Sequence, residues 1–289
     1  VSVGSSTPRW TMMAVAAFCL HSYHDGISGK AIHIGEATTS GCANSSWFGP
    51  DNESNGSLDE GRAYIQIKSG GACPADDRDL KFVVAHEIGH TVMRLYAGLE
   101  EGPWDTDYPY VGGVTSCADI GSYSLNSVEY GSVGFKEGTA DFYSASVFNY
   151  LDTSGRYGFF SSEMDLNENS PHEAGGRLVH NCNISQLDRQ GLGIKGDWLR
   201  FWWDWATDRS CTAPGRIEVQ QVFKRTLENH HGVGAGAGTP NEYTDTTTFG
   251  AVKTAAHQIF SGCAESELDW YACWNGIDRQ TGAASDVCY

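Results

Sequence analysis

The chain has 289 residues, with 36 acidic against 19 basic side chains, a formal net charge of -17, and 40% hydrophobic and 12% aromatic residues. That apolar content over this length buries a sizeable core and excludes a wholly disordered chain. The negative charge repels phosphate backbones and anionic bilayers, so nucleic acid and membranes are not expected partners.

In chain order, Trp10 to Tyr23 reads as a helix and Lys30 to Gly35 as a short strand with Ile32 and Ile34 on one face. A Gly/Ser/Asn-rich loop, Gly49 to Gly61, precedes the alternating strand Arg62 to Lys68. Asp76, Asp77 and Asp79 crowd a helix start, and the strongest helix follows from Leu80 to Ala97, with Gly98 at its expected C-terminal cap. Gly102 to Gly134 is long and aperiodic, as functional or tied-down loops are. Further helices are predicted over Phe135 to Leu151, Asp197 to Ala206, Ile217 to Asn229 and Phe249 to Phe260, with Gly232 to Gly238 as a flexible link. The Trp-rich run Asp197 to Trp205 reads as core at helical spacing. This order predicts an α+β class. An N-terminal mixed lobe, 1–100, holds a small β-sheet, and a mainly helical lobe, 101–289, contains the loop insertion.

Nine cysteines without a C-x-x-C pair disfavour zinc ribbons and thioredoxin motifs and favour disulfides, hence secretion. Cys263 with Cys273 is the local pairing that proximity suggests, and sequons at Asn44, Asn52, Asn55 and Asn183 permit glycosylation. No basic-plus-apolar leader precedes Val1, so a processed mature end and a soluble monomer are expected.

His86-Glu87-Ile88-Gly89-His90 matches H-E-x-x-H. Positions i and i+4 share a helix face, so both imidazoles can address one ion with the glutamate beside them. A catalytic zinc takes three protein ligands and keeps one position open. Glu137, in F-K-E-G-T-A-D-F, is the candidate third ligand, and Asp141, four residues on, could orient a ligating histidine. Tyr96 stands where the alternative H-x-x-G-x-x-H arrangement needs histidine, and no G-x-S-x-G or P-loop occurs.

The run V-V-A-H-E-I-G-H-T-V-M-R-L-Y-A-G-L, Val83 to Leu99, together with K-E-G-T-A-D-F, resembles the thermolysin-like and fungalysin-like zinc metallopeptidases. Weaker likenesses extend over roughly residues 8 to 277. The resemblance implies a zincin fold, with the active-site helix in the N-terminal lobe and a cleft between the lobes. It also implies Zn2+ on His86, His90 and Glu137, Glu87 as base and Asp141 supporting His86. Val179-His180-Asn181 matches the family's oxyanion-histidine context, which nominates His180 with His231 in reserve, and Ala43-Asn44 matches its substrate-holding edge, which nominates Asn44. Ca2+ is common in that family. Asp51 to Gly56 and Asp165 to Asn169 are oxygen-rich but incomplete as calcium loops, and solvated turns are the preferred reading.

Departures from the family are the long gap from His90 to Glu137, Lys136 in place of asparagine, and a displaced acidic partner for the oxyanion histidine, Glu173 at best. The expected activity is that of a secreted zinc endopeptidase acting on protein or peptide substrates. The alternatives are a secreted binding or adhesive protein with a vestigial zinc site, and a zinc hydrolase of a non-peptide amide.

Overall fold

The computed structural model describes residues 14–19, 31–37, 62–68, 82, 84–90, 92, 128–149, 192–207, 218–219, 221–223, 225–226, 245–259 and 265–277. The chain divides into two compact units, Val1–Glu100 and Glu101–Tyr289.

In the first unit, β1 (Ala31–Ala37) pairs in parallel with β2 (Arg62–Lys68), in a register running from Ala31 opposite Arg62 to Ala37 opposite Lys68. Helical residues 14–19 bury Val15, Ala16 and Cys19 and leave Phe18 exposed. Among helical residues 84–90 and 92, Val84, Ala85, Ile88 and Val92 are buried, the three- and four-residue spacing of a core-facing stripe. Burial pushes the Cys19 thiol from its ordinary 9.0 up to about 12, against a smaller lowering by a backbone hydrogen bond. The unfolded chain therefore releases this proton near pH 9 while the fold retains it. The stability held by the neutral thiol is complete below pH 9 and lost as pH rises toward 12. Melting temperatures measured across this range should fall less steeply for Cys19→Ala than for the parent.

In the second unit, β3 (Val128–Tyr130) pairs antiparallel with β4 (Leu192–Ile194), Val128 opposite Ile194. Each strand runs directly into a helix: β3 into α1 (Gly131–Asn149) and β4 into α2 (Lys195–Thr207). The ladder thus sets the two helix starts side by side. From Gly138 to Val147 every residue of α1 is buried, so the helix is central and not amphipathic. On α2, Trp198, Leu199, Phe201, Trp202, Trp203 and Trp205 are buried. Phe135 meets Trp198 edge-on at 4.9 Å, Trp202 meets Phe223 at 4.3 Å, and Phe201 meets Phe249 at 5.6 Å. The Trp202 indole N–H donates to Thr139 Oγ1 at 3.2 Å, giving a buried polar edge its partner.

The close approach of α1 to α2 runs through Gly138. A Cβ there would sit 2.6 Å from Trp198 Cβ and would also strike the Lys195 carbonyl oxygen, a backbone atom that cannot swing aside. Gly138→Ala should therefore cost about 2 kcal/mol in urea unfolding despite alanine's better helix propensity.

Helical residues 218–219, 221–223 and 225–226 bury Val219, Val222 and Phe223, and two more helices, α3 (Asp245–Ile259) and α4 (Glu265–Trp274), follow. The end of α4 turns through Gly276 at φ 81°, where Ile277 N–H donates to the Ala272 carbonyl and Gly276 N–H to that of Cys273. That is the pattern a left-handed cap requires. Asn275 Nδ2 reaches Asp204 Oδ2 at 2.7 Å and ties this cap to α2.

These findings correct the α+β expectation. The described side chains are almost all helical, the exceptions being Ile194 and the turn 275–277. Strand pairing among the described residues stops at two separate two-stranded ladders. A lone strand pair buries too little to organise a lobe, whereas α1 and α2 are buried nearly all round. Among the described residues no sheet-bearing lobe is organised, and the packed part is helical.

Candidate metal centre

His86, Glu87 and His90 lie within the first unit on one continuous helical run, 84–90. The helix repeat brings the two imidazoles over one another: His86 Nε2 and His90 Nε2 are 3.0 Å apart, with ring centroids at 4.7 Å and planes at 88°. Glu87 Oε1 stands 3.9 Å from His86 Nε2, too far for a hydrogen bond. One ligand atom from each of the three residues falls within 4.8 Å of the others, the one such His/Cys/Asp/Glu group among the described residues. Ile88 and Ala85, buried on the same run, seat the helix so that these polar atoms share one place.

The donor chemistry suits a divalent ion. Two imidazole nitrogens on a tetrahedral zinc, each about 2.0 to 2.1 Å from it, stand roughly 3.3 to 3.4 Å apart. The observed 3.0 Å is within a few tenths of an ångström of that spacing. Without an ion, the contact requires one ring to present N–H and the other a lone pair, since two lone pairs at this distance repel. Glu87 is 8% exposed, and a carboxylate this buried gains from a nearby positive charge.

Glu137 and Asp141 belong to the second unit, on α1. Glu137 is half-buried and Asp141 is buried. Asp141 Oδ2 forms an ion pair with Lys195 Nζ, at the start of α2, at 2.9 Å. Sequence reasoning missed Lys195, because no local spacing announces a partner that lies at the start of another helix. Asp197 and Arg200 are also buried there. Asn44, His180, His231, Cys263 and the two oxygen-rich segments proposed for Ca2+ lie outside the described residues. Cys273 is disulfide-bonded. Of the stretch Gly102 to Gly134, residues 128–134 form β3 and the first turn of α1. Among the described residues, no helix is long and apolar enough to cross a membrane.

No family model matches this chain, and no curated protein and no solved structure shows significant similarity to it.

Proposed function

We propose that the protein is a secreted zinc endopeptidase, and the observation that carries this reading is the convergence of one ligand atom each from His86, His90 and Glu87 within 4.8 Å of one another. A structural zinc site closes itself with four protein ligands and has no use for an adjacent base. A hydrolytic site needs both an open position and a proton acceptor beside it.

In this reading His86 and His90 hold the ion, and Glu137 is the third ligand on the support of its sequence motif alone. When bound, zinc lowers the pKa of a water toward neutrality and polarises the carbonyl to be cleaved. Glu87 takes the proton from the attacking water and delivers it to the departing amine. His180 as oxyanion donor, Asn44 as a substrate-backbone contact, and Asp141 as a support for His86 rest on sequence resemblance.

The test is product mass spectrometry on a diverse peptide pool incubated with the zinc-loaded chain, with His90→Ala in parallel. Internal cuts by the parent alone, with zinc stoichiometry near one in the parent and near zero in His90→Ala, support the endopeptidase. Stoichiometric zinc without cuts would favour a binding protein with a relic site. Cleavage of small amides but not of peptides would favour a non-peptide amidase.

A further inference from the structure

We infer that α4 binds an arginine side chain of a protein or peptide partner, with Trp270 as the stacking surface and Glu267 as the counter-charge. This site belongs to the second unit and is independent of the metal centre, which lies in the first.

Helix spacing builds the platform. Glu267, Trp270 and Trp274 stand at i, i+3 and i+7 on one side of α4, and all three are half-buried. The Trp270 and Trp274 rings stack with centroids 5.3 Å apart and planes at 13°, while the buried Tyr271 meets Trp270 edge-on at 5.2 Å. Cys273 is disulfide-bonded in the last turn, and Asn275 ties the end of the helix to Asp204. Trp270 is thus held by rings on two sides, and a surface ordered in advance loses little entropy when a ligand stacks on it.

Charge selects the ligand. α4, E-S-E-L-D-W-Y-A-C-W, carries acidic residues and no basic one, in a chain with a net charge of -17. Asp269 is already paired with Lys253 of α3, whose Nζ lies 2.6 Å from its Oδ1. Glu267, by contrast, forms no ion pair or hydrogen bond among the described residues. Helical side chains lean toward the N-terminus, so the Trp270 indole covers the turn that begins at Glu267. The stacked pair also occupies the last turn of α4, the negative end of the helix dipole. Indole face, carboxylate and dipole all favour a cation. Arginine suits them better than lysine, because a planar guanidinium stacks flat on an indole while its edge offers paired N–H groups to a carboxylate.

The experiment is titration calorimetry of the full chain with an arginine-containing peptide of D-residues, which resists cleavage, and with the same peptide carrying citrulline, the uncharged isostere of arginine. The parent should bind the arginine peptide about tenfold more tightly than the citrulline peptide, and Glu267→Gln and Trp270→Ala should each weaken that binding by about fivefold to tenfold. Glu267→Gln removes only one of 17 excess negative charges, so a diffuse attraction to the acidic chain would leave its affinity within about twofold of the parent. Because Glu267 holds no partner in the described fold, this variant carries the test if Trp270→Ala does not fold. No binding by the parent, equal binding of the citrulline peptide, or either folded variant within about twofold of the parent would overturn the inference. None of these outcomes bears on zinc binding by His86 and His90, so the endopeptidase reading is tested separately.

Discussion

Glu87→Gln is expected to lower peptide hydrolysis by about two to four orders of magnitude at saturating zinc, the usual contribution of a positioned general base. The substitution preserves volume and the hydrogen-bonding end of the side chain while removing the ability to accept a proton. It is mild for the fold: Glu87 is a buried residue on a helix whose buried stripe is made by Val84, Ala85, Ile88 and Val92, none of which changes. The loss should appear in kcat and in kcat/KM equally, because the missing interaction exists only as the bond breaks. Each decade corresponds to about 1.4 kcal/mol of barrier. Metal content is measured on the same sample, and with zinc in excess it should equal that of the parent. Cleavage within tenfold of the parent, with the metal present, would remove Glu87 from the role of base.

Asp141→Asn is the second large effect, and it acts on stability. Asp141 Oδ2 pairs with Lys195 Nζ at 2.9 Å, with side-chain exposures of 5% and 8%. Replacing the carboxylate by an amide takes this counter-charge from a buried ammonium, which costs about 3 to 5 kcal/mol. Moving both charges into water on unfolding is favourable, so the intact pair contributes much less net stability than that figure. The paired replacement Asp141→Leu with Lys195→Met should therefore recover most of the loss. Urea midpoints of parent, single and double variants measure this directly. A single variant as stable as the parent would show that Lys195 has other compensation. The experiment also separates two roles of Asp141: zinc affinity unchanged in the double variant would exclude it as a support for a metal-binding histidine.

Much of the local structure was legible from residue order. The alternation in R-A-Y-I-Q-I-K marks β2, and the Trp-rich run, core by its helical spacing, lies buried along α2. The predicted helix over Phe135 to Leu151 is α1, which begins earlier, at Gly131, because β3 feeds directly into it. Fold class failed for a definite reason. Alternation reveals that a segment is extended, but not how many strands will join it, and here each ladder stops at two.

The candidate site divides in the same way. What the sequence by itself determined is the His86, Glu87, His90 group, since a helix of 3.6 residues per turn superposes i and i+4 wherever that helix packs. It equally carries the net charge: an excess of 17 negative charges is a property of composition and needs no fold. Only tertiary structure decided that Gly138 faces α2 with no room for a Cβ, and that Asp141 is paired with Lys195. It also placed Asn275 against Asp204 at the cap of α4. Each of these joins residues far apart in the chain through helix packing, and no local periodicity encodes a distance between two helices.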